Sequence, residues 1–353
     1  MTVRDIEKYR RRHPAPALRV PPGCCVCAVI PCYNENACIG ETLFSLKKAA
    51  GTAPFPTTVL IVVNFPRGED PAESLKLLAR LERGEFGIEN LLFLYAPDLE
   101  GGVGAARKLG MDAFLRNIPC EAVPDSLLFS LDADTTVEPG YFAETARFLA
   151  GNKAGGVTIG YRHRQGETPE QEEAIRRYEA YLDRYVDRLG SCGSPYAFHS
   201  VGSAFAVKGE AYIRCGGMKV RRAGEDFYFL QELAKTAGVA RFPEVLVRPS
   251  PRLSCRTPFG TGRAVRDLME GKPLPEISDA AFDRLRVLLA ALSEDILDCD
   301  VPVLPESAFL RKERFFEVWP GIRRNTPPGK RLRAFHVWFD GLKTLRFLHF
   351  CDA

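Results

Sequence analysis

The stretch Leu127-Leu128-Phe129-Ser130-Leu131-Asp132-Ala133-Asp134 decides the reading of this chain. An apolar run of this kind reads as a buried strand of a sheet covered on both faces, and its carboxyl end is where open α/β sheets place ligands. The two carboxylates that close it need a cation or hydrogen-bond donors, because ionised groups at such an edge are costly to leave unmet. A hard divalent ion shared with a diphosphate meets that need: Mg²⁺ and Mn²⁺ take oxygen ligands and often bind through one or two carboxylates plus phosphate oxygens. The competing reading is structural, with one aspartate capping a helix that starts near Pro139.

Upstream of this stretch the pattern alternates strand and helix. Val26 to Ile30 reads as a β-branched strand that Pro31 ends. Glu35 to Ala50 carries apolar residues at helical spacing (Ile39, Leu43, Leu46) and stops at Gly51. Val59 to Val63, Leu91 to Tyr95 and Leu127 to Leu131 read as further strands, with helices at Pro71 to Arg83 and Gly104 to Arg116 between them. Four strand–helix repeats imply an α/β fold with a doubly wound, mostly parallel sheet.

Downstream, Thr168-Pro169-Glu170-Gln171 has the form of a capping box with Pro at the first helical position, opening a helix that ends before Gly190. Its face of Ile175, Tyr178, Leu182, Tyr185 and Leu189 suits core packing, or an acceptor sugar on the aromatic side. Beyond Gly262 the chain reads as helical. Leu332, Phe335, Phe339, Leu342, Leu345 and Leu348, interleaved with Arg331, Arg333, Lys343 and Arg346, predict one basic amphipathic helix that docks on the protein or lies on a membrane surface.

With 353 residues, 46% hydrophobic and 26% charged, the composition is that of a soluble globular protein with one large core or two modest ones. No apolar run reaches the roughly 20 residues that span a bilayer, and charged residues 1–12 are not followed by a signal-peptide core, so the expected location is the cytoplasm. The 11 cysteines form no framework and read as reduced thiols. Residues 1–22 carry six Lys/Arg against two acids and residues 321–353 seven against two, which fits solvated termini or contact with anionic lipid or acidic partners. No zinc-finger, basic-zipper or aromatic RNA-binding pattern is present, so nucleic acid is not an expected partner.

Four further segments fall around the same sheet edge. Val29-Ile30-Pro31-Cys32-Tyr33-Asn34-Glu35 brings an aromatic that can stack on a nucleobase and a carboxylate that can accept from a base or ribose; the alternative is that Asn34 caps the following helix. Asn64 ends the second strand. Gly101-Gly102-Val103-Gly104-Ala105-Ala106-Arg107-Lys108 offers small residues for close backbone approach, then two cations, and Arg107 reads as a phosphate or carboxylate clamp. A dehydrogenase fingerprint would sit on the first strand, where this chain has Pro31-Cys32-Tyr33. Last, Gly224-Glu225-Asp226 opens a helix. Adjacent helical residues point apart, so one acid faces an acceptor, where it can act as general base, and the other faces the protein.

In this order and spacing the segments resemble the family 2 glycosyltransferases of the GT-A fold, over about residues 26 to 240. The resemblance implies a GT-A nucleotide-diphospho-sugar transferase fold with a C-terminal helical extension: a basic extension at 1–22, a catalytic domain at 23–255, and a closing loop and helical region at 256–353. It implies inverting, metal-dependent transfer from a nucleotide-diphosphate sugar, with Mg²⁺ or Mn²⁺ as cofactor and a UDP-sugar as the usual donor. Asp132 and Asp134 would be the D-x-D residues, Asp134 touching the metal directly and Asp132 the ribose or the metal. Asp226 would be the base, with Glu225 a second candidate. Pro31, Tyr33, Glu35 and Asn64 would line the nucleoside pocket, supported by Arg107.

Asn64-Phe65-Pro66-Arg67 replaces the Asp-Asp-Gly-Ser common in that family, and the Gln/Arg-x-x-Arg-Trp motif of processive synthases is absent. Single addition to a glycan, lipid-linked or small-molecule acceptor is therefore expected. Arg256, in Ser254 to Gly262, is read as a cation that closes over the leaving diphosphate. His199 and Ser203 are candidate acceptor or metal contacts, or satisfied buried residues. The rival functions are a sugar-1-phosphate nucleotidyltransferase and a non-catalytic nucleotide-sugar-binding protein. Peripheral contact at the inner face of the membrane through the C-terminal helix is a further expectation.

Overall fold

A computed structural model describes residues 1–221, 223–253, 260–293 and 306–352. The strands are β1 Val26–Cys32, β2 Thr57–Asn64, β3 Leu91–Ala96, β4 Leu127–Ser130, β5 Thr136–Val137, β6 Gly156–Tyr161, β7 Phe205–Lys208 and β8 Val239–Arg248. The helices are α1 Val3–Arg12, α2 Ile39–Thr52, α3 Ala72–Glu82, α4 Gly102–Arg116, α5 Tyr141–Ala150, α6 Pro169–Ser191, α7 Gly209–Arg214, α8 Glu225–Thr236, α9 Thr261–Met269, α10 Asp279–Ser293, α11 Ser307–Lys312, α12 Phe315–Asn325, α13 Pro328–Trp338 and α14 Gly341–Asp352. The chain divides into two compact units, Met1–Tyr178 with Ser200–Lys272, and Glu179–His199 with Pro273–Ala353.

The first unit holds one mixed sheet in the order β3-β2-β1-β4-β7-β6-β8-β5. Strands β3, β2, β1 and β4 are parallel, β7 runs antiparallel to β4 and β6, β8 is parallel to β6, and β5 is antiparallel to β8. Every residue of β1, β2 and β4 is buried, as continuous apolar runs covered on both faces require. The parallel half matches the predicted repeats, and the whole is the expected GT-A α/β fold. Strands β5, β7 and β8 escaped the sequence reading; β5 has only two residues, and β8 runs through Pro243.

Pro31 does not end β1. It lies inside the strand opposite Val62, and the reason is local. Alternate residues of a parallel strand bond to alternate neighbours, and β1 accepts from β4 at Cys25 and Val29. The N–H that Pro31 lacks would point the same way, past the end of β4 at Ser130. Asn34 adopts φ 54° rather than capping a helix, and α2 starts later than predicted, with Cys38 and Ile39 N–H groups donating to the Glu35 carbonyl.

Helix α4 sits close on the sheet because Gly110 leaves no room for a side chain: a Cβ there would collide with Val29 and come within 3.0 Å of Val62. The N-terminal basic segment is folded onto this helix. A capping box at Thr2 starts α1; Ile6 and Tyr9 are buried, the Tyr9 hydroxyl donates to Asp112 at 2.7 Å, and Arg10 donates to the carbonyls of Leu115 (2.6 Å) and Ile118 (2.7 Å). A cation there satisfies the carbonyls orphaned at the end of α4.

In α6 the Thr168 hydroxyl accepts from the Gln171 N–H at 3.2 Å, while the Gln171 side chain accepts from Glu167, one residue before the expected partner. The predicted single C-terminal helix is two, α13 and α14. Asp340 breaks it, its carboxylate accepting from the Lys343 N–H at 3.1 Å as an N-cap. Phe335, Phe339, Phe347 and Leu348 are buried in the core of the second unit with Phe309, Phe315 and Trp319, so most of the apolar stripe packs on protein, while Leu342 is exposed. Among the described residues no helix is long and apolar enough to cross a membrane.

Candidate active site

The site lies in the first unit, at the carboxyl ends of β1 and β4, where the order turns from β2 and β3 on one side to β4 and β7 on the other. Such a switch point opens a crevice for ligands. Strand β4 delivers Asp132 and Asp134 on a turn held by two hydroxyls and a backbone bond. Ser130 Oγ donates to the Gly202 carbonyl at 2.6 Å, Thr42 Oγ1 to the Ala133 carbonyl at 2.8 Å, and the Thr135 N–H to the Asp132 carbonyl at 3.2 Å.

Arg107, on the second turn of α4, is the hub. One guanidinium nitrogen pairs with Asp132 and the other with Glu225 at the start of α8. The arginine is 3% exposed and, among the described residues, its Nε finds no partner. Burial alone favours its neutral form, but the charges of Asp132 and Glu225 offset this and hold its pKa above the usual value.

Two glycines make the seat. A Cβ on Gly202 would come within 2.6 Å of the Arg107 guanidinium, and one on Gly104 within 2.8 Å of the Glu225 side chain. The small residues of α4, read from the sequence as room for a ligand, admit protein: Glu225 at Gly104 and the sheet at Gly110.

Glu225 thus faces the protein, and its neighbour Asp226 points elsewhere, as helix geometry requires. Asp226 Oδ1 accepts from the Phe227 N–H at 2.8 Å. Its carboxyl is pushed up to about 6 by burial and by the Glu225 charge, against the opposing pull of Arg107.

A second guanidinium, Arg252, follows β8. It donates to both oxygens of Glu35 (2.8 and 3.0 Å) and to Asp134 at 2.9 Å. Arg164 donates to the Asp134 carbonyl at 3.2 Å and to Glu41 at 2.5 Å. Burial, and after it the charge of Asp132, raise the Asp134 pKa, with Arg252 opposing.

Of the predicted residues, the structure joins Arg107, Asp132 and Glu225 directly, sets Asp226 beside Glu225, and joins Glu35 to Asp134 through Arg252. Pro31 is buried in β1 and Tyr33 is half-buried just beyond it. Asn64 is buried at the end of β2, and its Oδ1 has no partner among the described residues. Arg256 lies outside the described residues. Ser203 is buried in the first unit, and His199 belongs to the second, its Nε2 2.9 Å from Asp183.

Sequence reasoning missed Arg252 and Gly202. Recognising β8 as a strand would have placed Pro249-Ser250-Pro251-Arg252 just past its carboxyl end; nothing local marks Gly202.

A divalent cation fits Asp132 and Asp134. Their charges repel, and their side chains keep 40% and 20% exposure. Among the described residues no group of three or more His, Cys, Asp or Glu side chains is placed to hold a metal ion.

A mixed α/β sheet in this strand order belongs to the GT-A class of folds. Residues 27–223 match the profile described as Glycosyl transferase family 2, and the chain belongs to that family. It is a glycosyltransferase. Similar solved structures include S. aureus TarS 1–349 in complex with UDP-GlcNAc, at 14% identity and a TM-score of 0.46 over 82% of this chain and 80% of that one. The same fragment with UDP gives 14% and 0.43 over 76% and 72%, and S. aureus TarS gives 14% and 0.42 over 91% and 54%. No curated protein sequence matches this chain.

Proposed function

We propose that this glycosyltransferase moves a sugar from a nucleotide-diphosphate donor to an acceptor hydroxyl with inversion, one addition at a time, with a divalent cation assisting. The observation that carries the reading is Arg107: one buried guanidinium ties the D-x-D aspartate Asp132 to the Glu225-Asp226 pair, so donor and acceptor ends of the reaction share one rigid support.

In this reading Asp226 accepts the proton of the acceptor hydroxyl as it attacks the anomeric carbon from the face opposite the departing nucleoside diphosphate. Glu225, held by Arg107, fixes the start of α8 and leaves Asp226 as the base. Glu35 and Asn64 orient the nucleoside, and the unpartnered Asn64 Oδ1 supports this, being an acceptor in want of a donor. Tyr33 offers a stacking face and Pro31 a rigid wall. Asp132 and Asp134 are the residues to hold Mg²⁺ or Mn²⁺, which when bound supplies Lewis-acid stabilisation of the leaving diphosphate. The acceptor class is a glycan, a lipid-linked sugar or a small molecule.

The test is thermal stabilisation against nucleoside diphosphates and nucleotide sugars, with and without Mn²⁺, uridine diphosphate first. A ligand at about 100 times its dissociation constant adds roughly 2.7 kcal/mol. One nucleotide should stabilise the protein in a metal-dependent way, and Asp134→Ala should erase that dependence. An unchanged Mn²⁺ requirement in the variant removes Asp134 from the cation site.

A further inference from the structure

Arg252 is a cation of the site that the chemistry above leaves unused. Its guanidinium donates to both oxygens of Glu35, which follows β1, and to Asp134 Oδ2, which follows β4, while Arg252 itself follows β8. One side chain therefore ties three chain segments at the mouth of the donor crevice. At 37% exposure it reaches solvent, unlike Arg107 at 3%.

We infer that Arg252 is a positioning residue that serves as the site's own counter-cation before the donor arrives: it holds Glu35 and Asp134 in place and competes with the divalent ion for Asp134. The inference rests on the reading of Asp134 as a cation ligand. A carboxylate oxygen already accepting from a guanidinium has lost much of its attraction for a second cation, and two cations at one carboxylate repel. A diphosphate reverses this, because its oxygens add negative charge to the crevice and offer Arg252 a bidentate partner in place of Asp134. The divalent ion and the nucleotide then bind cooperatively, and the ion alone binds poorly.

Mn²⁺ binding to the full chain, read as loss of the free-ion signal in electron paramagnetic resonance, tests this with no turnover required. Wild type should bind Mn²⁺ weakly alone and at least about tenfold more tightly with uridine diphosphate present, while Arg252→Gln should bind Mn²⁺ alone about tenfold more tightly than wild type. Arg252→Lys keeps the charge but not the fork and should fall between the two; it carries the test where the Gln variant fails to fold. Mn²⁺ binding that is retained but unchanged in these variants overturns the inference and leaves the metal site standing. No Mn²⁺ binding by any of these proteins, with or without nucleotide, overturns the metal reading of Asp134 and this inference with it.

Discussion

The two arginines of the site do the same job in opposite surroundings. Arg107 and Arg252 each tie carboxylates from separate segments, Arg107 joining Asp132 to Glu225 and Arg252 joining Glu35 to Asp134. Arg107 is sealed in a seat bounded by Gly202 and braced by Gly104 beneath Glu225; Arg252 is over a third exposed and sits on a segment leaving the sheet edge. A buried charge paired with a buried carboxylate belongs to the fold, since removing it strands that partner, here Glu225 at 6% exposure, while Asp132 at 40% reaches water. A partly exposed one can exchange partners at less cost, because water reaches the guanidinium and Asp134, although Glu35 stays buried.

The largest effect should follow from breaking the sealed end. Arg107→Met strands Glu225 in a buried position and should lower unfolding free energy by about 3–5 kcal/mol, read by urea denaturation. A loss below about 1 kcal/mol would erase the contrast between the two arginines.

Next comes Asp226, which Arg107 influences without touching. Asp226→Asn should leave donor binding nearly intact and lower turnover by about 10²–10⁴-fold; near-normal turnover would move the base elsewhere. With its carboxyl pushed up to about 6, the wild-type rate should rise with pH through that value and then level, as the carboxylate form becomes available. Stability should run the other way. The folded protein holds this proton more tightly than the unfolded chain, so the contribution is present below the ordinary value of 3.8 and is lost as pH rises through about 6. The Asn variant should lack that slope.

Smallest is the open end: Arg252→Gln leaves the buried Glu35 with an amide in place of a guanidinium and should cost about 1–3 kcal/mol, below Arg107→Met, even though it alters cation binding. A loss as large as that of Arg107→Met would make Arg252 a fold element too.

How much of this was legible in the sequence divides along the same line. The parallel strands announce themselves as continuous apolar runs, and the acids at their ends, Asp132, Asp134, Glu225 and Asp226, stand out because charge at such an edge needs an explanation. Arg107 was visible for the same reason, a cation beside small residues. Its partners were not, because nothing local in α4 names Glu225, 118 residues away. Arg252 carries no local signal, because β8, with Pro243 within it, has no clean strand pattern. The C-terminal helices were read as one because their apolar spacing continues in phase across Asp340, and only the cap at that aspartate divides them.

For an engineer seeking a sturdier variant, Gly202 turns a general recipe into a selective one. Replacing glycine by alanine ordinarily stabilises a protein by about 0.4–1 kcal/mol wherever the backbone conformation allows it. Gly40 and Gly51, both in α2, meet that condition with nothing within 4 Å of the added carbon. Gly202 is also outside the left-handed region, so backbone angles alone would admit alanine there. The added methyl would land on a guanidinium that has nowhere to go. Position 202 therefore belongs with the acids on the list of sites a stabilising library leaves untouched, although its own side chain is a single hydrogen.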